Sequence, residues 1–284
     1  MPRIFLPASD IKDNRISITD EKAHYITSVL RCKKGDELTI FDGKGDCFRT
    51  TILRIDRREI ITEVIERFPW NTESSINIVL VQGLLKGQKM DMVVQKTTEL
   101  GVKGIMPVIT KRSQLRETRK IARWRKIAEE ASRQSGRNVV PTVHDATRFS
   151  DVLNTLSPNA VNGLIFYEEG GMKLSEAVEI FKQRFNYTLP TRDGIHTPAP
   201  LSRGDIPLHP SQEGIISSPP AGEGKGEGEL LIIIGPEGGF TKKEVTLAEG
   251  KGLLVTSLGR RILRAETSAI SSVTLVQFLL GDMG

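Results

Sequence analysis

The strongest constraint in this 284-residue chain is the segment Leu230 to Val245 (LLIIIGPEGGFTKKEV), followed closely by Leu258 to Ile270 (LGRRILRAETSAI). The apolar run reads as a strand that ends in a turn built from Gly235, Pro236, Glu237, Gly238 and Gly239. Glycine there supplies positive φ and proline presets the bend. Thr241 and Glu244 form a capping-box pattern that starts a helix. A second strand, LLVTSLG, ends in another turn that leads into the last helix. Two glycine-bearing turns at the C-terminal ends of adjacent strands make a backbone-lined crevice, which is where open α/β sheets hold ligands.

Taken alone, GPEGG is equally well a tight strand-to-helix turn and nothing more. The pair of turns shifts the balance. The second carries Gly259, then Arg260, Arg261, Arg264 and Glu266 around Ile262 and Leu263. A purely structural loop rarely gathers so many charges at the mouth of one crevice.

The rest of the chain falls into two patterns. The first seventy residues are short alternating strands, with ELTIFDG and DCFRTTILRI joined as a hairpin through Asp42 to Gly45, and REIITEVIERF following. Pro69-Trp70-Asn71 breaks that pattern, so a β domain is expected over 1–72 and a second domain over 73–284. In the second, INIVLVQGL, GIMPVIT and GLIFYEE read as strands. Met90, Val93, Val94 and Thr97 recur at helical spacing before a C-terminal cap at Gly101. Ile121, Trp124, Ile127, Ala128 and Ala131 stripe another helix. Ser175 is expected to cap a third, with Val178, Phe181 and Phe185 inward. This βαβα order predicts an α/β fold with a mostly parallel sheet covered on both faces. The stretch from 187 to 228 (TPAPLSRGD, SSPPAGEGKGEGE) is Pro-, Gly- and Ser-rich and reads as an insert unable to bury an apolar core. Its GEGKGEGE is no phosphate loop, because it precedes a strand and has Gly226 where a P-loop has Ser or Thr.

Composition narrows the partners. Forty Lys and Arg against 35 Asp and Glu give a net charge of +5, which points weakly towards an anion. Cys32 and Cys47 are the only cysteines. They form no disulfide framework or CxxC metal site and read as reduced thiols in a cytoplasmic protein. His24, His144, His196 and His209 have no metal-ligand spacing, so no metal is expected. No apolar stretch approaches the ~20 residues of a membrane span.

The two C-terminal motifs resemble those of the SPOUT superfamily of trefoil-knotted methyltransferases, and within it the family that methylates uridine N3 in small-subunit (16S) ribosomal RNA. PRIFLP (2–7), HYITSVLRCKKGDELTIFDGKG (24–45), KGQKMDMVVQKTTELGVKGIMPVITKRS (86–113) and RWRKIAEEASRQSGRNVVP (123–141) follow the same family's pattern in order. The family's usual LGPRILR is departed from at Arg260. The resemblance implies a small PUA-like β-barrel that helps hold RNA, and a trefoil-knot domain in which the chain beyond Leu258 threads a loop near Phe166 to Gly171. It implies S-adenosylmethionine held by Phe166, Tyr167, Ile234, Gly235, Pro236, Glu237, Gly238, Leu258, Gly259, Ile262, Leu263 and Thr267. It also implies a homodimer whose active site crosses the subunit interface, with 16S RNA or the assembled small subunit as partner.

Basic residues crowd the stretch from Lys111 to Arg137. For any one of them a solvated helix face suffices, but as a set they would neutralise several phosphates. Arg31, Lys33, Lys86, Lys96, Arg112, Arg133 and Arg137 are the expected RNA contacts together with Arg3. Arg133 and Arg137 are expected to face the crevice. Methylating N3 spreads negative charge over O2 and O4, so fixed cations near the carbonyls would help, and Arg3 and Arg264 are the candidates. Two rival readings stay open: a non-catalytic RNA-binding protein, and a methyltransferase of the same superfamily with another RNA target.

Overall fold

The computed structural model describes residues 1–11, 14–69, 72–156, 163–185 and 229–283. The insert expected at 187–228 lies outside them, as do Trp70 and Asn71 at the expected boundary. The chain divides into two units, Met1–Glu73 with Glu129–Val140, and Ser74–Ala128 with Pro141–Gly284.

The first unit holds strands β1 (Arg3–Phe5), β2 (Arg15–Thr19), β3 (Glu37–Phe41), β4 (Asp46–Ile55) and β5 (Glu59–Pro69). A short helix α1 (Asp20–His24) continues as a π-helical turn over Tyr25–Val29. The sheet order is β1-β3-β4-β5-β2, with β1 parallel to β3 and the other pairs antiparallel. The β3–β4 hairpin forms because Asp42 Oδ1 accepts the N–H groups of Lys44 (2.8 Å) and Asp46 (3.0 Å). Register shifts at Arg49/Thr50 and Ile52/Arg54 bend the long strands. Ile4 on one edge strand and Ile16 and Ile18 on the other therefore share one core with Leu38, Ile40, Ile52 and Ile60. The sheet is thus curled into a PUA-like half-barrel.

Segment Glu129–Val140 belongs to this unit because Glu73 holds it. The Glu73 carboxylate accepts Arg137 Nε at 3.0 Å and the N–H groups of Asn138 (3.2 Å) and Val139 (3.1 Å).

The second unit runs β6 (Ile78–Gly83), α2 (Lys89–Glu99), β7 (Gly104–Ile109), α3 (Ile121–Ser135, its last residues belonging to the first unit), β8 (Thr142–Val143), β9 (Thr147–Arg148) and α4 (Phe149–Thr155). It continues β10 (Gly163–Phe166), β11 (Met172–Lys173), α5 (Leu174–Phe185), β12 (Leu230–Ile234), α6 (Lys242–Gly250), β13 (Leu254–Ser257) and α7 (Ala265–Leu280). All pairs are parallel, in the order β11-β13-β10-β12-β6-β7-β8, with β9 also on β7. β6, β10 and β12 are buried at every residue, as a parallel sheet covered on both faces requires. Val79, Val81, Ile165, Leu231 and Ile233 meet Phe149, Val152 and Leu153 of α4 and Val245 and Ala248 of α6. α7 packs against β6 and β12, and against α2 and α5.

Two expectations need correction. Ser175 does not cap α5, which begins at Leu174; Glu176 accepts the Lys173 N–H at 3.4 Å from within the first turn. Strands β12 and β13 are also not adjacent. β10 lies between them, with Leu164 paired to both Ile232 and Leu254.

That insertion of β10 carries the topology. β10 and β11 are consecutive in the chain yet flank β13, so Tyr167–Gly171 bridges across it. Tyr167 N–H donates to Thr256 O at 3.0 Å, and a Cβ on Gly171 would meet the Thr256 backbone at 3.0 Å. Tyr167–Gly171 thus crosses the C-terminal end of β13, from which the chain continues to α7, an arrangement in keeping with the trefoil knot that the family resemblance implies and that ordinary chain-order rules exclude.

Candidate active site

A cleft of about 610 Å³ opens at the C-terminal ends of β10, β12 and β13. Its walls are three strand-to-loop junctions. β12 contributes Ile234, Gly235, Pro236, Glu237, Gly239 and Phe240; β10 contributes Phe166, Tyr167 and Glu168. Ser257 at the end of β13, the turn after it from Leu258 to Leu263, and the first turns of α7 close the third side.

Local chemistry fixes each wall. Thr241 and Glu244 make the capping box that starts α6, with Thr241 N–H donating to Glu244 Oε2 at 2.9 Å. Gly83 at the end of β6 has no room for a side chain, since a Cβ would lie 2.4 Å from Pro236 N. After β13, Gly259 turns the chain at φ 105°, and its N–H donates to Ser257 Oγ at 3.2 Å. Arg260, the departure from the family pattern, is exposed on this turn and lines the cleft.

The charges inside are unevenly committed. Glu237 Oε1 accepts the Lys86 N–H at 3.2 Å and Lys89 Nζ at 3.1 Å. Burial raises the Glu237 carboxyl, but these bonds and its own backbone N–H outweigh it and hold it below the ordinary value. Lys89 also lies 3.9 Å from Glu266 Oε2. Glu266 is only 9% exposed, and its Oε2 has no hydrogen-bond partner. Tyr167 donates its hydroxyl to Glu169 at 2.9 Å.

Of the expected cofactor residues, all line the cleft except Gly238 and Thr267. Gly238 points away: a Cβ there would meet Arg112 O at 2.9 Å, so this glycine accommodates a neighbouring loop. Thr267 is exposed on α7, and Ser268 lines the cleft in its place. Sequence reasoning missed Lys89, Glu168 and Gly239. The first two come from elements the reading treated as ordinary strand and helix ends, before β10 was known to lie between the two turns.

The expected arginines separate. Arg264 is exposed at the cleft as the residue before α7. Arg3 is in the first unit, where it donates to Asn138 Oδ1 (2.6 Å) and Arg137 O (3.2 Å) and lies over the Phe41 ring. Arg133 and Arg137 are engaged within the first unit. Arg133 pairs with Glu130 and lies over Tyr25, while Arg137 is 3% exposed and is held by Glu73, because a carboxylate stands ready for each. Arg31, Lys33, Lys86 and Arg112 are exposed, and Lys96 is paired to Glu99. Among the described residues no cluster of three or more His, Cys, Asp or Glu could hold a metal, and no helix is long and apolar enough to cross a membrane.

Two family models match. Residues 72–190 and 205–277 match an RNA methyltransferase domain, and 18–65 match an RNA methyltransferase PUA domain. The *Bacillus subtilis* ribosomal RNA small subunit methyltransferase E is 29% identical over 267 residues, covering 92% of this chain and 89% of the relative. The *Neisseria gonorrhoeae* ribosomal RNA small subunit methyltransferase E, solved bound to S-adenosyl methionine, superposes at a TM-score of 0.76 with 28% identity and covers 100% of both chains. A *Legionella pneumophila* putative methyltransferase in complex with the same cofactor gives 0.74 with 27% identity, covering 99% of this chain and 98% of that one.

Proposed function

The chain belongs to the RNA methyltransferase family, and from that premise we propose that it methylates N3 of a uridine in small-subunit (16S) ribosomal RNA with S-adenosylmethionine. The observation that carries this reading is the backbone-lined cleft of about 610 Å³, in a chain that aligns end to end with a cofactor-bound small-subunit enzyme. The cleft's volume suits a ligand of that size. The cofactor, when bound, supplies an electrophilic methyl on a positively charged sulfur.

The residues proposed to hold it are Phe166, Tyr167, Ile234 to Glu237 and Gly239 on one side. Leu258, Gly259, Ile262 and Leu263 lie on the other. Lys89 fixes Glu237 and so keeps the first turn in place. Arg264, exposed at the cleft, is assigned to the carbonyl charge that develops as N3 loses its proton. Arg3, Arg133 and Arg137 are assigned to the frame of the first unit instead. Arg31, Lys33, Lys86 and Arg112 are the proposed phosphate contacts, with Lys96 secondary because Glu99 already engages it.

We further propose a homodimer working in the cytoplasm, where its ribosomal substrate is made. Leu275 (41% exposed) and Phe278 (58%) lie three residues apart on α7, and Met92 (49%) is exposed on the neighbouring α2. Apolar side chains of that size on two packed helices suit a covered interface. Isothermal titration with S-adenosylmethionine separates the enzyme from a non-catalytic RNA-binding protein. One cofactor bound per chain is expected, and no binding would overturn the reading.

A further inference from the structure

We propose that Glu266 takes the N3 proton of the target uridine, an inference that rests on the function proposed above. Methylation at N3 requires a proton acceptor beside the reacting base, and three carboxylates line the cleft: Glu168, Glu237 and Glu266. Glu237 is committed, since one oxygen already takes the Lys86 N–H and Lys89 Nζ. Glu168 is exposed on the loop bridging β13, where water competes for any donor. Glu266 differs from both. It is fixed in the first turn of α7 and lines the cleft, it is 9% exposed, and its buried Oε2 has no hydrogen-bond donor.

A buried carboxylate oxygen left without a donor costs free energy, and such a group in a folded protein calls for an explanation. A carboxylate held this way at the cleft keeps its capacity for a proton, and a base seated in the cleft brings one. Lys89, 3.9 Å from Oε2, compensates the charge without occupying the hydrogen-bonding position. In the step, the N3–H bond breaks and its proton passes to the Glu266 carboxylate, leaving the electron pair on N3. That pair forms the N3–CH₃ bond as the C–S bond breaks with its electrons left on sulfur. The proton then leaves Glu266 for water.

The test uses small subunits purified from cells lacking this chain, labelled S-adenosylmethionine, and the full-length protein. For the wild type, 3-methyluridine in the digested RNA establishes the underlying reaction; a label on another atom refutes that reading without bearing on Glu266. Glu266→Gln keeps the shape and hydrogen-bonding length. Its single-turnover rate should fall roughly 10²- to 10⁴-fold, the usual contribution of a positioned acid or base, while cofactor Kd by titration stays within about threefold. The acidic limb of the wild-type pH–rate profile should flatten. The loss should be smaller on RNA carrying 5-fluorouridine, whose N3 proton leaves more readily, a response that a merely structural role would not give. Glu266→Asp should recover part of the rate. An unchanged rate in Glu266→Gln overturns the proposal. So does a loss of cofactor affinity that accounts for the whole rate loss, or an equal loss on both RNAs.

Discussion

Arg112 and Gly238 are held face to face. The Arg112 guanidinium donates to the Gly238 carbonyl at 3.2 Å, and a Cβ on Gly238 would sit 2.9 Å from the Arg112 carbonyl oxygen. The middle glycine of GPEGG is therefore small to admit a protein neighbour, whereas Gly239, at φ 67°, lines the cleft together with Gly235.

Replacing Gly238 by Ala should thus act first on stability. Crowding a well-packed contact of this kind typically costs about 1–3 kcal/mol, read as a lowered Tm, with cofactor affinity reduced only as far as the turn shifts. A variant with unchanged Tm and abolished cofactor binding would show that Gly238 faces the ligand.

Exposure divides the arginines by what their loss should do. Arg112→Ala should lower the magnitude of the salt slope of RNA binding by roughly one unit. Arg137→Ala breaks a buried pair with Glu73 and should cost about 3–5 kcal/mol of stability, leaving the salt slope of the folded fraction unchanged. Filter binding at several salt concentrations beside denaturant melts reads both. A reduced slope for Arg137→Ala with full stability would return it to the RNA-binding set.

The α7 surface gives a third expectation. Phe278→Glu should convert a dimer into a monomer in light scattering, because a charge cannot be buried there unpaired. A wild type that is already monomeric contradicts the dimer outright.

The pH dependence has two windows. Burial holds the His144 imidazole below its ordinary 6.5, so the unfolded chain takes that proton first. Stability is complete above 6.5 and declines as pH falls below it. Glu130, held down chiefly by its bond to Arg133, and Glu237 have carboxyls below 4.5. Their contributions are present above that value and are lost as pH falls further. Urea melts from pH 7 to 5 should show a slope that His144→Gln flattens. An identical slope in the variant would remove His144 from the account.

Much of this site was legible in the sequence because turn chemistry is local. GPEGG, Thr241 with Glu244, and Gly259 each dictate their own geometry, and the structure shows the capping box and the Gly259 turn in place. Strand order was not legible. Nothing local tells β10 to enter between β12 and β13, and that placement is what brings Phe166, Tyr167 and Glu168 to the cleft. Partner choice was equally hidden. Arg133 and Arg137 read as free cations until Glu130 and Glu73 were seen beside them, one a turn away on the same helix and the other 64 residues distant. Gly238 and Gly239 are indistinguishable in a motif, and only the position of Arg112 separates their roles.

The central claim is methylation of uridine N3 in small-subunit RNA, and nucleoside mass spectrometry of 16S RNA from cells with and without this chain tests it most directly. The account predicts that 3-methyluridine disappears from the RNA of cells lacking the chain and returns when it is restored. An unchanged 3-methyluridine level, with a different methylated nucleoside lost instead, would contradict it.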